Sequence, residues 1–416
     1  MSTLFFRGFI IVIASFVCFS ATIPAPVQAE VSEQVLELVS TFRQRSGLSA
    51  QEYCIKAKKF HLGEKGKTKD LQRALYYYDQ AIKLDPDLLE AYDFRGDARL
   101  DNGGYDGAIE DFNHVLRLKP DYAGAYSGIG HAMLCKDDFD NAILYYNKAV
   151  ELMPDNKTLG MYNSRGVAKF LNGDLQEAIS DFEKAMTLNP WWKQPYFNCG
   201  RSRFRLGDFS GAIGDFSKVI YLDQNDTEAY YNRGNARLNI NDFAGAIEDY
   251  NSAIKLAARV YYFYSSRGLA RLCSEDYAGA EEDYTKAIEL EPKESYIGLY
   301  NGRGLTRYNQ EDYSGSIIDF SMAIERNPFW GQPLYNRGKA FAHLGEFGKA
   351  ISDFNKSVDL YPMNADGFYQ CGLMYQKIGQ NDNAIEYLKT FLERVPKGTP
   401  EDDVKKAKQI IEELDR

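Results

Sequence analysis

The chain repeats itself every 34 residues. Gly96 and Gly130 are 34 apart, and Gly166, Gly200, Gly234, Gly268, Gly304, Gly338 and Gly372 follow at steps of 34 or 36. A second series keeps step with the first: Ala108, Ala142, Ala178, Ala212, Ala246, Ala280, Ala350 and Ala384, with Ser316 filling the one gap. Length alone would suggest two or three domains, but a fixed period points to one elongated array of small units. The stretch Tyr230 to Leu256 shows the unit: Tyr230 and Arg233-Gly234, then Phe243, Ala246, Asp249-Tyr250 and Ala253. These positions describe two short amphipathic helices that meet through their small residues. Such a hairpin leaves an apolar side open, and a neighbour of the same kind covers it. Pro120, Pro154, Pro190, Pro292, Pro328, Pro362 and Pro396 close most second helices, as Pro does just past a helix end.

Tyr92, Gly96, Ala108, Phe112 and Pro120 reproduce the pattern of the tetratricopeptide repeat, which the chain resembles over about ten units from Gln51 to Lys397. Departures are Gln224 and Ala258 where Pro is usual, and Asn381 where an aromatic is usual. The resemblance implies an all-α, right-handed superhelical solenoid whose concave face binds a protein or peptide. The expected segments are a signal peptide over 1–29, an N-terminal capping helix within 30–50, the repeat array over 51–398 and a C-terminal capping helix within 399–416. Within the N-terminal cap, Val31 to Gln44 reads as an amphipathic helix with Val35, Leu38, Val39 and Phe42 on one side.

The leader assignment comes from the residues themselves. Arg7 precedes an apolar run from Gly8 to Ala21 that is short for a membrane span, and Val27-Gln28-Ala29 is a small-x-small cleavage pattern before Glu30. Cleavage there would leave no membrane span and would place the protein in a periplasm or outside the cell. It would also remove Arg7, the one charged residue of the first 29, and take the net charge from −10 to −11. An acidic chain argues against nucleic acid as a partner. Of six cysteines, Cys54, Cys135, Cys199, Cys273 and Cys371 would remain, each in a different first helix and too far apart to bridge. They read as packed thiols.

A longer period lies over the short one. Asn189-Pro190-Trp191-Trp192-Lys193-Gln194-Pro195 reappears as Asn327-Pro328-Phe329-Trp330-Gly331-Gln332-Pro333, an offset of 138 that Cys135 and Cys273 share. Two-residue insertions near Lys157 and Ser295 fit the same duplication of four hairpins. The tryptophans of these motifs are expected to pack on Pro195 and Pro333.

Charges recur as well. Arg95, Arg165, Arg233, Arg267, Arg303 and Arg337 stand just before their glycines, and Asp111, Asp181, Asp249, Asp283, Asp319 and Asp353 just before the second-helix aromatic. Where the Arg is missing, at Ile129 and Cys371, the Asp is missing too; Cys199 with Asp215 is the exception. The covariation predicts a structural Arg–Asp bridge inside each hairpin.

The face left for a partner is the first-helix stripe at spacings of three and four. Near Leu89 it reads Glu90, Asp93, Asp97 and Asp101; near Lys193 it reads Gln194, Phe197, Arg201 and Arg205, with Phe204 beside it. Further on come Tyr231, Asn235 and Asn239, then Gln332, Tyr335, Lys339 and His343, then Tyr369. The acids at Asp93 and Asp97 disfavour capture of a partner's C-terminal carboxylate.

Motifs for chemistry are sparse. His61, His114, His131 and His343 are at no metal-ligand spacing, and Gly66-Lys67-Thr68 lacks the earlier glycine of a phosphate loop because His61 stands there. No cofactor and no catalytic residue are expected. The reading is a non-enzymatic scaffold of an exported compartment that binds a protein or peptide; the alternative is a glycan-binding scaffold that supports polysaccharide assembly or export.

Overall fold

A computed structural model describes residues 47–63, 68–153, 159–291, 297–396 and 401–415. The expected leader, the helix expected at Val31–Gln44, the Gly66-Lys67 pair and the insertions near Lys157 and Ser295 lie outside the described residues. Among the described residues there are twenty-one α-helices and no strand, so the chain is an all-α helical-repeat solenoid.

The helices fall into two compact units that divide after Asn172. The first unit holds α1 (Ala50–Leu62), α2 (Leu71–Leu84), α3 (Leu89–Asp101), α4 (Tyr105–Leu118), α5 (Ala123–Cys135), α6 (Phe139–Leu152) and α7 (Leu159–Asn172). The second begins with α8 (Leu175–Leu188), α9 (Lys193–Leu206), α10 (Phe209–Leu222), α11 (Thr227–Asn239), α12 (Phe243–Leu256), α13 (Tyr261–Cys273) and α14 (Tyr277–Leu290). It continues with α15 (Ile297–Asn309), α16 (Tyr313–Arg326), α17 (Gly331–His343), α18 (Phe347–Leu360), α19 (Ala365–Lys377), α20 (Asn381–Arg394) and α21 (Glu401–Leu414).

Within each unit a helix packs on the next one along the chain, the local pattern that a repeat imposes. The turn inside a hairpin is made by one residue with positive φ: Gly103, Gly207, Gly345 and Gly379, but also Asp137, Asn241, Glu275 and Glu311. In five of these eight turns an Asp then caps the second helix, as where Asp242 accepts the Gly245 N–H at 3.0 Å.

Most of the recurring glycines meet rings, a sharper role than the small-against-small contact expected from sequence. A Cβ at Gly234 would lie 2.8 Å from the Tyr250 ring, and one at Gly338 would lie 2.7 Å from Phe354. Both rings are fully buried, as are Ala246 and Ala350 beside them. Such a first helix is therefore notched to take the aromatic of its second helix, and the ring fills the space that the missing Cβ leaves, whereas Gly372 meets Leu388 in place of a ring. At the far end of the second unit, Ala407 and Ile410 of α21 are buried against Tyr369, Leu388 and Phe391.

Candidate functional site

The recurring charges sort first, because they turn out to belong to the frame. Arg95 Nε and Nη2 donate to the two oxygens of Asp111 at 2.9 and 2.6 Å. The same two-pronged bond joins Arg267 to Asp283 and Arg303 to Asp319, at 2.5–3.0 Å, and Arg337 to Asp353, at 2.7 and 2.8 Å. Arg233 holds Asp249 with three contacts of 2.6–3.2 Å. Arg165 and Asp181 stand on either side of the division between the units. The five aspartates paired here are buried, so each carboxylate is held where water cannot replace its partner.

Sequence reasoning missed half of this device. The remaining Nη1 of each arginine reaches back to the preceding second helix: to Asp79 from Arg95, Asn147 from Arg165, Ser217 from Arg233, Asn251 from Arg267 and Ser321 from Arg337. A second arginine, one helical turn on, also grips the aspartate: Arg99 on Asp111 at 2.8 Å, Arg237 on Asp249 at 3.1 Å, Arg271 on Asp283 at 3.0 Å and Arg307 on Asp319 at 2.9 Å. This resolves the exception at Cys199. Arg203 takes over both duties, donating to Asp215 and to Glu183 at 2.6 Å each. The signal was present as Arg-Gly-x-x-Arg in four repeats, at 95–99, 233–237, 267–271 and 303–307.

With these charges assigned to the frame, the first-helix stripes remain. In the first unit Asp93 accepts the Tyr122 hydroxyl at 2.8 Å, and Asp101 accepts Lys69 Nζ at 2.7 Å with His61 Nε2 at 3.4 Å. The Lys69 hydrogen bond holds the Asp101 carboxyl below its ordinary range. Asp97 lies between them; surrounding protein and the charges of Asp93 and Asp101 push it up to about 6. Burial likewise raises Asp93, against the opposing pull of the Tyr122 hydrogen bond. Glu90 is exposed on the same side of the helix.

In the second unit the stripe is a frame of rings. Tyr231 lies 4.9 Å from Tyr262 and 5.3 Å from Phe263 of the next first helix. Asn235 accepts the Tyr250 hydroxyl at 2.8 Å, and Asn239 bonds to its own helix. Farther along, the Tyr335 hydroxyl donates to Asp366. Lys339 Nζ lies 5.0 Å from the centre of the Tyr308 ring and 5.9 Å from that of Tyr335. His343 stacks on Tyr313 at 4.6 Å and meets Tyr308 edge-on at 5.5 Å. Tyr262, Tyr308 and Tyr313 were not singled out from sequence.

Other expected positions divide. Gln194 is exposed and bonds to Asn198, and Gln332 bonds to Asn336, which continues to Asn301. Arg201 and Arg205 are exposed. Phe197 packs on Phe216 at 5.8 Å and Phe204 on Phe209 at 5.3 Å, so both rings spend a face on the hairpin core. Tyr369 is a correction: only 5% exposed, it lies against Phe391 under α21, because the last helix covers the face that an inner repeat would present. Trp191 is another. It is 71% exposed, since its backbone N–H donates to the Asn189 side chain in a tight turn that aims the ring outward, while Trp192 and Trp330 are half-buried. Phe329 repeats the arrangement, 78% exposed above Asn327. Lys218 Nζ stands 4.9 Å from Tyr221 and 5.5 Å from Trp191. Among the described residues no cluster of His, Cys, Asp and Glu could hold a metal ion, and no helix is long and apolar enough to cross a membrane.

Stacked hairpins whose recurring Arg–Asp charges belong to the frame, and whose first helices carry rings and amides, define a helical-repeat scaffold. Sequence profiles described as TPR repeat and tetratricopeptide repeat match residues 96–135, 123–156, 159–190, 198–261, 301–365 and 366–398, together more than half of the chain. The chain belongs to the tetratricopeptide-repeat family, whose members bind protein or peptide partners. Among curated proteins, the Protein CTR9 homolog of Arabidopsis thaliana is 32% identical over 57 residues, which make up 14% of this chain and 5% of that protein. The chain thus spans a small fraction of that relative's length. Among solved structures, the C-terminal part of a TPR repeat-containing protein from Cytophaga hutchinsonii is 18% identical, with a TM-score of 0.52 over 59% of this chain and 98% of that one. That likeness is one of fold. The MamA protein is 26% identical over 41% of this chain and 93% of its own, with a TM-score of 0.39.

Proposed function

We propose that the protein is a non-enzymatic scaffold that holds a segment of a partner protein along the first-helix stripe of its second unit. The observation that carries this reading is the interlocked frame of Tyr308, Tyr313, Tyr335, Lys339 and His343. Rings braced by their neighbours lose little freedom on binding, which is what lets a small number of aromatic side chains dominate an interface. The amides of Asn235, Asn239 and Gln332 lie on the same stripe and suit the backbone of an extended peptide. The acidic stripe of the first unit is a separate feature, suited to basic segments.

Peptides selected from a displayed library against the folded protein test the reading. Tyr231→Ala, Tyr335→Ala and Lys339→Gln should each weaken a selected peptide by about tenfold or more while helix content is kept. Unchanged affinity in all three would sink it.

The compartment belongs to the same proposal. The apolar run at Gly8–Ala21 and the Val27-Gln28-Ala29 pattern support export, most plainly to a bacterial periplasm, and a mature chain starting at Glu30 is the result to look for. A glycan is the second reading, favoured by the outward Trp191 and Tyr221 rings, 71% and 68% exposed, on either side of Lys218. Salt separates the two: a basic peptide on the acidic stripe releases as salt rises, whereas a neutral sugar on exposed rings does not respond.

A further inference from the structure

We propose that Asp97, with Asp93 one helical turn before it, forms a subsite on the first-helix stripe of the first unit for the guanidinium of a partner's arginine side chain. Carboxylates on these stripes commonly have a donor of the protein's own. Asp93 accepts the Tyr122 hydroxyl with one oxygen and Asp101 accepts Lys69, while in the second unit Glu228 accepts the Tyr262 hydroxyl at 3.1 Å and Asp366 that of Tyr335. Asp97 makes no hydrogen bond or ion pair with any described residue. The cations near it are turned elsewhere: Arg95 and Arg99 hold Asp111, Lys69 holds Asp101, and Lys58 Nζ lies over the Phe94 ring at 4.3 Å.

The surroundings suit a donor-rich cation. Tyr122, just ahead of α5, lies over Gly124, where a Cβ would meet its ring at 2.9 Å, and from there its hydroxyl crosses to fix Asp93. Tyr78 is 0% exposed and its hydroxyl has no hydrogen-bond partner among the described residues. Burial above all, and then the charges of Cys54 and Asp97, hold the Tyr78 proton in place, so this orphaned hydroxyl stands within reach of the Asp97 charge. Asp97 itself is exposed to solvent, yet it is crowded enough that burial raises its carboxyl to about 6, the mark of a group on the floor of a hollow. It is ionised at neutral pH. A carboxylate without a donor, a second one held in place and a hydroxyl without a partner all offer acceptor oxygens, and a guanidinium is a planar fork of N–H donors with no acceptor. Side chains one turn apart on a helix have Cβ atoms about 5–6 Å apart, a gap that a fork can bridge and a point charge cannot. The described carboxylates form no group that could hold a metal ion, so the cation to look for is organic. The subsite lies in the first unit and is independent of what the second unit binds.

Blocked arginine, acetylated at its amine and amidated at its carboxyl so that the guanidinium is its one charge, tests the proposal on the full chain. Binding is followed at about pH 7.5 through the side-chain carboxyl NMR resonances of isotope-labelled Asp93 and Asp97. The expected result is a saturable shift of both resonances at about millimolar probe. Blocked citrulline, of the same shape without the charge, and potassium chloride at equal ionic strength should leave both in place. Asp97→Asn, read through Asp93, should weaken the probe by about tenfold or more, and blocked lysine should bind the parent at least about threefold more weakly than blocked arginine. Far-UV circular dichroism verifies that the variant is folded. No saturation, an equal shift with citrulline or with salt alone, or unchanged affinity in Asp97→Asn would each overturn the subsite, and equal binding of lysine would overturn its assignment to a guanidinium.

Discussion

Arg337 stands where two sides of the frame meet, and it stands alone. Its guanidinium is the one paired with Asp353, because Phe341 occupies the place where other repeats carry a second arginine. Asp249, by contrast, keeps Arg237 at 3.1 Å when Arg233 is removed. Arg337→Ala should therefore cost about 3–5 kcal/mol, as expected for a buried carboxylate stripped of its partner, and Arg233→Ala about 1–3 kcal/mol. Amide exchange in α18 and α12 reads the two locally, which matters because an array need not unfold in one step. Equal costs would mean that the second arginine contributes nothing. Gly338→Ala should cost about 1–3 kcal/mol by the same measure, since the new Cβ meets the Phe354 ring at 2.7 Å. Asp97 offers a test of sign. Its folded carboxyl, at about 6, holds a proton more tightly than an unfolded aspartate, so its ionisation works against the fold as pH rises through 6 and is neutral below the unfolded value of about 4. Asp97→Asn should melt above the parent at about pH 7.5 and together with it at about pH 3.5. A gain that persists in acid would assign the effect to packing instead.

At the scale of helices, much could be read in advance, and the failures have physical causes. The glycine, alanine and proline series placed the hairpins because each marks a contact repeated in register. The bridge from Arg to Asp was legible through its covariation, as at Cys371 and Tyr387, where both members are missing. The second arginine was not, because it lies a helical turn past the glycine, outside the pair that covaries. The half-buried state of Phe197 was hidden for another reason: a stripe drawn on one helix cannot show which ring its partner helix will claim. Tyr369 was misplaced because its neighbour is not a repeat but a lone helix, and a lone helix covers what an inner hairpin leaves open. That helix makes a prediction of its own. Removing α21 exposes Leu388 and Phe391, now 0% and 3% exposed, along with Tyr369. Losing this burial should weaken the last hairpin by about 3–6 kcal/mol. Protection in α19 and α20 should fall while α11 and α12 keep theirs, because stabilisation in such an array passes between neighbours. A loss spread evenly over the second unit would contradict nearest-neighbour coupling.

For the molecule as a whole, the thiols decide a question that the repeats leave open. Five cysteines lie among the described residues, three buried and two exposed, and none is bonded to another. Burial raises Cys54 to about 11 and Cys371 to about 12, and it raises Cys199 as well, so these three are poor nucleophiles besides being covered. Cys135 and Cys273 are open to reagent at the ends of α5 and α13. A sixth cysteine, Cys18, lies inside the apolar run ahead of the expected cleavage point. Alkylation of the protein recovered from its own cell should then label two thiols in the native state and five after denaturation. The native count tests the fold, because a loosened array would expose Cys199 or Cys371. The denatured count tests the leader, because a chain that keeps its first 29 residues carries all six. Two and six would leave the solenoid standing and remove export by cleavage; three or more in the native state would strike at the packing itself.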